Sequence, residues 1–593
     1  MIEKMRKYSF VLFHSDYESF LADLQRLGVV HIIRSTDART DSQVRQLELM
    51  GRYNDALKLL KKIGSDKEKG NTSLPTKALL NRIEQAVSEK DDLRRQEDIL
   101  KKQIRELSPW GHFDYELETQ LENAGVKVDF HTCLKNHFKP EWLEQHCIRQ
   151  INELGGIVYF VVLYTGEKPA LDCDTFSFHK HTLREFETQL EELQQRIADI
   201  DLFLNETAPE AIQRFEDEIR RISGEYDYED ATLQASSEAE DHLRVLGGWI
   251  PVSKERELST YLNDKGIIHF AQDGKADDNP PIQLRNNWFS RLFEPIGNMY
   301  MLPYYNEFDL TPFFAPFFML FFGFCNADIA YGLVFIALGL FLRHKAKNPA
   351  AKSVMMLIVI FGISSMLMGW LMGSALAFDL KKTVLDPAII IRNNDQIFNF
   401  ALLLGAIQIL FGVAINAVKK GRQSGFMHSV APIGIFLFLG SLSVLGAEML
   451  GTDISAVKAY VRFPMFAGLA LLLLFNQPGK NPIINVLGGL WLLYNVITGF
   501  FGDILSYIRL FALGVSSAIL GFVINSIGSQ MLGIPIIGPV IFFVFMLLGH
   551  TLNIALGALS GFVHPMRLTF VEFFKNADFQ GPGIQYKPFG NKQ

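Results

Sequence analysis

The sequence predicts a mixed fold: an N-terminal α+β dumbbell, two small α/β lobes joined by a long antiparallel coiled coil, followed by an α-helical polytopic membrane domain of about eight spans. Three observations carry that prediction. Charged residues crowd the chain up to about Asn287, whereas Leu, Ile, Phe, Gly and Ala dominate after it. Apolar runs long enough to cross a bilayer recur from Phe308 onward, where a span needs roughly 20 mostly apolar residues. Within the charged half, apolar residues return at alternating steps of three and four, the coiled-coil pattern. The expected boundary divides residues 1–290, a cytoplasmic arm, from residues 291–593, the membrane domain.

In chain order, Tyr8–Phe13 reads as a strand, Asp16–Leu27 as a helix and Val29–Ile33 as a second strand. The same order returns in Val245–Ile250, Ser253–Asn263 and Ile267–Phe270, and LGVVHI at Leu27–Ile32 echoes KGIIHF at Lys265–Phe270. Residues 1–35 and 240–275 are therefore expected to form one proximal lobe. The coil is expected over residues 40–107 with 180–225. A weaker helix spans Asp41–Lys62 and a polar loop Gly64–Ser73. The apolar series then runs from Leu79 through Ile83, Leu93 and Leu100 to Leu107, and from Leu183 through Phe186, Leu190, Leu193 and Ile197 to Leu204. Between the coils, Tyr115–Ala124, Val126–Cys133, Pro140–His146 and Ile157–Tyr164 suggest a distal lobe over 108–175.

The membrane spans are read as 310–324, 328–342, 354–377, 397–417, 428–447, 461–475, 483–528 and 533–566. The last two exceed one bilayer thickness and must tilt, break or extend beyond it; Gly499 and Gly502 are break points that would give nine helices. Loops carrying Arg343, Lys345, Lys347 and Lys352, then Lys419, Lys420 and Arg422, then Lys480, face the cytoplasm by the positive-inside rule. The loop from Asp379 to Gln396 mixes bases with Asp379, Asp386 and Asp395. An even count puts both termini in the cytoplasm, in keeping with an N-terminus that lacks the apolar core of a signal peptide.

Several functions are disfavoured. The formal net charge of −7 and the lack of a basic, aromatic-studded patch argue against nucleic acid. The four cysteines show no CxxC spacing, and His131 with Cys133 or His146 with Cys147 are explained as well by a lobe core as by metal ligation. No GxxxxGK[ST] phosphate loop occurs, so the chain is not expected to hydrolyse nucleotide itself, and no cofactor or metal is expected.

The most informative stretch is Ile504–Val571. It contains Arg509 and Arg567 and no Asp, Glu or Lys. A guanidinium keeps its proton in a protein, and placing one at the bilayer centre costs roughly 2.5–3.5 kcal/mol on insertion scales. A counter-charge on the same helix would stand three or four residues away. Those places hold Leu505, Ser506, Ala512 and Leu513 around Arg509, and Val563, His564, Phe570 and Val571 around Arg567. None is acidic, so the carboxylate is expected from another protein. Asp503, Ser506 and Tyr507 cluster with Arg509. His550, Asn553, Gly557, Ser560, His564 and Arg567 recur at steps of three and four and are expected largely to share one face. Such a stripe can wet an ion path, whereas Ser516, Ser517 and Asn525 are expected to bond neighbouring helices. Glu448, Asp328 and Gln408 are candidates for lining an aqueous inlet, along with Ser560 and His550.

GDILSYIRLFALGVSSAILGFVIN (Gly502–Asn525) resembles the arginine-bearing helix of the large membrane subunit of V/A-type rotary ATPases, subunit I or subunit a. GHTLNIALGALSGFVHPMRLTFVEFFKNADFQGPG (Gly549–Gly583) resembles that family's last helix and tail. TPFFAPFFMLFFGFCNADIAYGL (Thr311–Leu333) resembles its first hairpin, and VLGGWIP (Val245–Pro251) with LGVVHI its soluble lobe. The sequence departs in a proline among the tail glycines and in Gly557, where the eukaryotic version has glutamate. The resemblance implies an ion-translocating stator with two half-channels. Its partners would be a rotor ring of small membrane subunits, each carrying a buried Glu or Asp, peripheral stalk subunits at the lobes and a central-stalk collar. It implies ion-path roles for Arg509, Arg567, His564, Asn553, Ser506 and Asp503.

Overall fold

The computed structural model describes residues 1–34, 39–63, 74–112, 115–177, 182–238, 242–346, 348–380, 391, 393–449, 458–477, 481–533, 535 and 537–590. The expected loop Gly64–Ser73 at 64–73, together with Lys347, Asp386 and Lys480, lies outside those residues. The chain divides into two compact units. One comprises Met1–Tyr17, Val29–Ile33 and Ala235–Phe589, the other Glu18–Gly28, Arg34–Gln234 and Gly590–Gln593.

The second unit is built on helices α1 (Tyr17–Leu27), α2 (Asp41–Ile63), α3 (Thr76–Leu107) and α6 (Leu183–Leu233). Near one end three helices share a core in which Tyr53, Leu60, Leu80, Ile83, Leu204 and Phe215 are buried. Farther along, only α3 and α6 remain in contact, through Leu93, Leu100 and Leu107 against Leu183, Phe186 and Leu193. The contacts Lys90–Asp201 and Glu97–Gln194 show that these two helices run antiparallel, since the partner number falls on α6 as it rises on α3. Thr182 starts α6 with a reciprocal capping box to Glu185, which satisfies two of the amides a helix start leaves open.

Past the pair lie α4 (Tyr115–Asn123), β3 (Lys127–Leu134), α5 (Glu141–Gln145), β4 (Cys147–Leu154), β5 (Ile157–Tyr164) and β6 (Asp174–Phe176). The four strands form an antiparallel sheet in the order β4-β5-β3-β6. Strand β4 was not expected from sequence: nearly all its side chains face solvent, so no alternation marks it. Phe130, Cys133, Phe160 and Val162 are buried. His131 is buried too, stacked on Phe160 at 5.6 Å between ring centroids, a core position.

In the first unit, β1 (Met5–Phe13), β2 (His31–Ile32), β7 (Ser236–Glu238), β8 (Leu243–Pro251) and β9 (Ile268–Asp273) form one sheet, with α7 (Glu255–Lys265) between β8 and β9. The order β2-β8-β1-β9 interleaves the two echoed segments: β2 pairs with β8 and β9 with β1. Strands from Met5–Ile32 and from Ser236–Asp273 thus share one sheet.

The short α8 (Trp288–Asn298) precedes the apolar helices α9 (Thr311–Cys325), α10 (Ile329–Lys345), α11 (Pro349–Met372), α12 (Asn394–Ser424), α13 (Phe426–Met449), α14 (Lys458–Leu474), α15 (Pro482–Met531) and α16 (Gly538–Arg567). Among the described residues, 5 helical stretches are long and apolar enough to cross a membrane by length and composition; they include α11, α12, α13, α15 and α16. Three boundaries correct the sequence expectation. The third run stops at Met372, because Gly373 adopts the left-handed conformation and ends α11. Lys419, Lys420 and Arg422 lie within the last turns of α12, not in a loop. Gly499 and Gly502 do not break the seventh run: α15 is one helix of 50 residues, roughly 75 Å long at 1.5 Å per residue.

After α16 the helix widens into a π turn, Leu568–Phe573, and closes with α17 (Phe574–Asn576). The tail then returns along the sheet region, where Ile282 N–H donates to Ile584 O (2.7 Å) and Phe589 N–H to Val30 O (2.7 Å).

Candidate functional site

Two polar clusters lie among the apolar helices. The first surrounds Arg509. Helix α15 presents Asp503, Tyr507 and Leu510 to the interior, with Ser506 and Arg509 half-buried beside them and Leu505 exposed. Tyr507 is wholly buried because Gly405 on α12 leaves room for its ring, and its hydroxyl donates to Gln408 Oε1 (2.7 Å). Gln408 is fully buried, so it braces Tyr507 and does not line an open inlet.

The π turn supplies what the sequence search missed. Glu572 is buried, and Ser506 Oγ donates to its Oε1. Arg509 Nη2 in turn donates to Ser506 Oγ (3.4 Å), while Arg509 Nη1 has no hydrogen-bond partner among the described residues. The sequence search, confined to neighbours on the same helix, did not foresee that Glu572 of this chain is linked to Arg509 through one hydroxyl, although the two groups do not touch. The same-helix rule could not find it, because Glu572 arrives from another segment. It is the first residue after the acid-free stretch, and a π turn carries an extra residue per hydrogen-bonded ring, so a 3.6-residue projection misplaces it. Asp503 is also paired within the chain, accepting from Lys575 Nζ (3.0 Å) and Asn576 Nδ2 (2.8 Å) on α17.

His564 and Arg567 occupy the last turn of α16. His564 is half-buried and Arg567 exposed, and both lie close enough to Arg509 to act on it electrostatically.

The second cluster contains His550 and Asn553 of α16, Asn525 of α15 and Tyr331 of α10. Asn525 Nδ2 donates to Leu376 O (2.8 Å), so its Oδ1 is the acceptor that faces His550 Nε2 (3.0 Å). His550 Nε2 therefore carries a proton, and Nδ1 shares a hydrogen bond with the Tyr331 hydroxyl (2.8 Å). Asn553 Nδ2 completes the set by donating to the Tyr331 oxygen (2.9 Å) and to Ser517 O (3.2 Å). The pattern places a proton on His550 Nε2. Asp328 caps α10 through Ala330 and Tyr331 N–H and also accepts from Ser374 Oγ, Leu376 N–H and Ala377 N–H. Its carboxylate holds the small hairpin formed by β10 (Ser374–Ala375) and β11 (Phe378–Asp379), a structural task.

The expected single stripe on α16 divides between these clusters. Buried positions run His550, Asn553, Gly557, Gly561 and Pro565, whereas Ser560, His564 and Arg567 turn toward the surface. A 3.5-residue repeat drifts about 20° per seven residues around a straight helix. Ser560 has no side-chain hydrogen bond among the described residues. Glu448 lies elsewhere, at the end of α13, in an exposed ion pair with Lys458 of α14 (2.7 Å).

Between the clusters, Gly557 and Gly561 are covered by the Asn326 side chain: a Cβ at Gly557 would run into its Oδ1 and one at Gly561 into its Nδ2. Helices α15 and α16 are otherwise barely covered. Only 17% of the most apolar window of each is buried, against 50% for α11 and α12. Ile519, Phe522, Phe543, Leu548 and Leu559 stand more than half exposed.

Comparison with known proteins bears on these features. Residues 168–379 match the V-type ATPase 116kDa subunit family. V-type ATP synthase subunit I of Borreliella burgdorferi is 25% identical, with 99% of this chain and 99% of that protein covered. V-type ATP synthase subunit I 1 of Treponema pallidum is 23% identical over 99% of this chain and 100% of its own length. A-type ATP synthase subunit I of Methanocaldococcus jannaschii is 26% identical over 59% of this chain and 55% of its own, so this chain spans about half the length of that archaeal relative. A solved cytoplasmic N-terminal domain of subunit I, homolog of subunit a, of V-ATPase covers 45% of this chain at 12% identity, with a TM-score of 0.19 that carries no argument about fold. With a family model over residues 168–379 and end-to-end likeness to two V-type ATP synthase subunits I, this chain is similar to the subunit I proteins of V- and A-type ATP synthases.

Proposed function

We propose that the chain is the ion-translocating stator subunit of a V/A-type rotary ATPase, in a bacterial inner membrane with both termini cytoplasmic. The observation that carries this reading is Arg509: a permanent cation on an uncovered apolar helix, with one guanidinium nitrogen unpaired among the described residues. A permanent charge amid such surface calls for a partner that brings both apolar cover and acid, and a rotor ring of small membrane subunits with buried carboxylates supplies both.

A ring carboxylate facing lipid is neutral, holding a proton or sodium ion, because desolvation penalises its charged form. On reaching Arg509 it is favoured as the carboxylate and gives up its ion. When it leaves, Ser506 returns Arg509 to the influence of Glu572, so the guanidinium is never wholly uncompensated. The inner half-channel runs by Asp503, Ser506 and Glu572, and the outer one approaches from the His550–Asn553 side, with His564, Arg567 and Ser560 along the ring face. Glu448, ion-paired with Lys458, and Gln408, bonded to the Tyr507 hydroxyl, are assigned no step in this reading. The charge of Arg509 repels cations and so blocks a leak between the channels. The soluble helices and lobes act as the dumbbell brace that anchors the peripheral stalks and the central-stalk collar.

The test is ATP-driven ion pumping by the assembled complex in vesicles. Arg509→Ala abolishes pumping, and Arg509→Lys nearly does, since an ammonium lacks the planar fork. Undiminished pumping by an assembled Arg509→Ala complex refutes the proposal.

A further inference from the structure

We infer that the turn between α10 and α11 binds the phosphate-bearing headgroup of an anionic phospholipid. A cleft of about 380 Å³ opens there, lined by Leu340, Arg343, His344 and Lys352. The turn is chemically one-sided. Residues 329–378 contain no Asp or Glu, and neither Arg343 nor Lys352 makes an ion pair among the described residues. Arg343 Nη1 meets only a neutral thioether, Met356 Sδ (2.8 Å), so its charge remains available. Lys345, just outside the cleft, lies over the Phe341 ring at 4.7 Å.

Topology alone requires bases at such a turn, but it does not require them to converge on one cleft with an apolar wall. Basic pockets between membrane helices suit anionic headgroups. The flanks favour a lipid over a free anion: Leu338, Leu340 and Phe341 of α10 and Val354 of α11 are exposed beside the cations, where acyl chains can lie. A soluble phosphate would make no use of that surface. The inference rests on α10 and α11 lying in a bilayer and is independent of what Arg509 does.

The experiment uses the assembled complex, delipidated in mild detergent and exposed to phosphatidylglycerol or phosphatidylcholine carrying a photoreactive acyl chain. Labelled peptides are then mapped by mass spectrometry. Phosphatidylglycerol is expected to label the segment around Leu338, Phe341 and Val354 about tenfold more than phosphatidylcholine, one decade of affinity. Arg343→Gln combined with Lys352→Gln is expected to remove that preference. Since charge removal can disturb insertion, the comparison of the two lipids on the unsubstituted chain decides by itself. Equal labelling by both lipids overturns the proposal, and so does displacement of the phosphatidylglycerol signal by inorganic phosphate at no more than the lipid's own concentration, which would mark a site for a free anion.

Discussion

Replacing Glu572 by Gln tests the link between Arg509 and its own chain. The substitution keeps the shape and an acceptor for Ser506 Oγ but removes the charge. Because Ser506 bridges the two groups, their separation is roughly 6 Å, the length of two hydrogen bonds in series. At an effective dielectric constant near 20, opposite charges that far apart attract by about 3 kcal/mol, close to a hundredfold in an equilibrium constant. Without Glu572, that attraction is free to hold an arriving ring carboxylate instead, so departure from Arg509 becomes the slow step. Coupled turnover of the reconstituted complex is expected to fall by about tenfold or more, with the fall limited by whichever other step then dominates. Ser506→Ala, which breaks the bridge and keeps the charge, is expected to slow turnover less. The assay is ATP hydrolysis with ion uptake measured in parallel, after assembly has been verified. Wild-type turnover in an assembled Glu572→Gln complex would refute the reasoning, because Arg509 would then be indifferent to its nearest acid.

Packing and titration give further outcomes. Gly405→Ala places a methyl against the Tyr507 ring, so it is expected to dislodge the hydroxyl from Gln408 and to cost about 1–3 kcal/mol, read as a lower unfolding temperature of the solubilised complex. His131 in β3 is buried, and burial pushes its basicity below the ordinary range, with Asp129 opposing. The folded lobe therefore resists the proton that the unfolded chain accepts, so its stability is present above the ordinary histidine value of about 6.5 and lost as pH falls. Amide exchange across β3, corrected for intrinsic rates, is expected to quicken in acid, and His131→Phe is expected to flatten that dependence. Gly557→Ala alone is expected to destabilise the helix packing, since its Cβ meets Asn326 Oδ1, while pairing it with Asn326→Ala restores a normal unfolding temperature; equal behaviour of the single and double variants would count against the steric account.

What the sequence made legible divides along physical lines. Apolar runs and 3–4 spacing fall on α9 to α16 and on α3 and α6, because burial and lipid contact act on side-chain type. Helix ends are not set that way, and those of α11, α12 and α6 lie well away from the expected bounds. Backbone bonding leaves no such mark. Strand β4 is held by its ladder to β5 with its side chains in water, and α11 ends at Gly373 although hydropathy continues to about residue 377. Charges were legible one at a time but not in pairs: Arg509 announced itself, while Glu572, Lys575 and Asn576 joined α15 only through the π turn and the short helix after it. Gly557 shows the same limit from the other side. Read alone, it is a place where a relay carboxylate is missing. In the structure it is filled, because the Asn326 amide lies flat across Gly557 and Gly561, with its Oδ1 buried and unpaired among the described residues. A side chain at 557 and Asn326 in its present position exclude one another, so the glycine and the asparagine are one arrangement. The polar group between the His550 cluster and the Arg509 cluster comes from the α9–α10 connection instead of from α16. An acceptor is thereby kept at that depth without a charge, which suits a helix pair whose buried face must stay neutral where it faces neither water nor an ion.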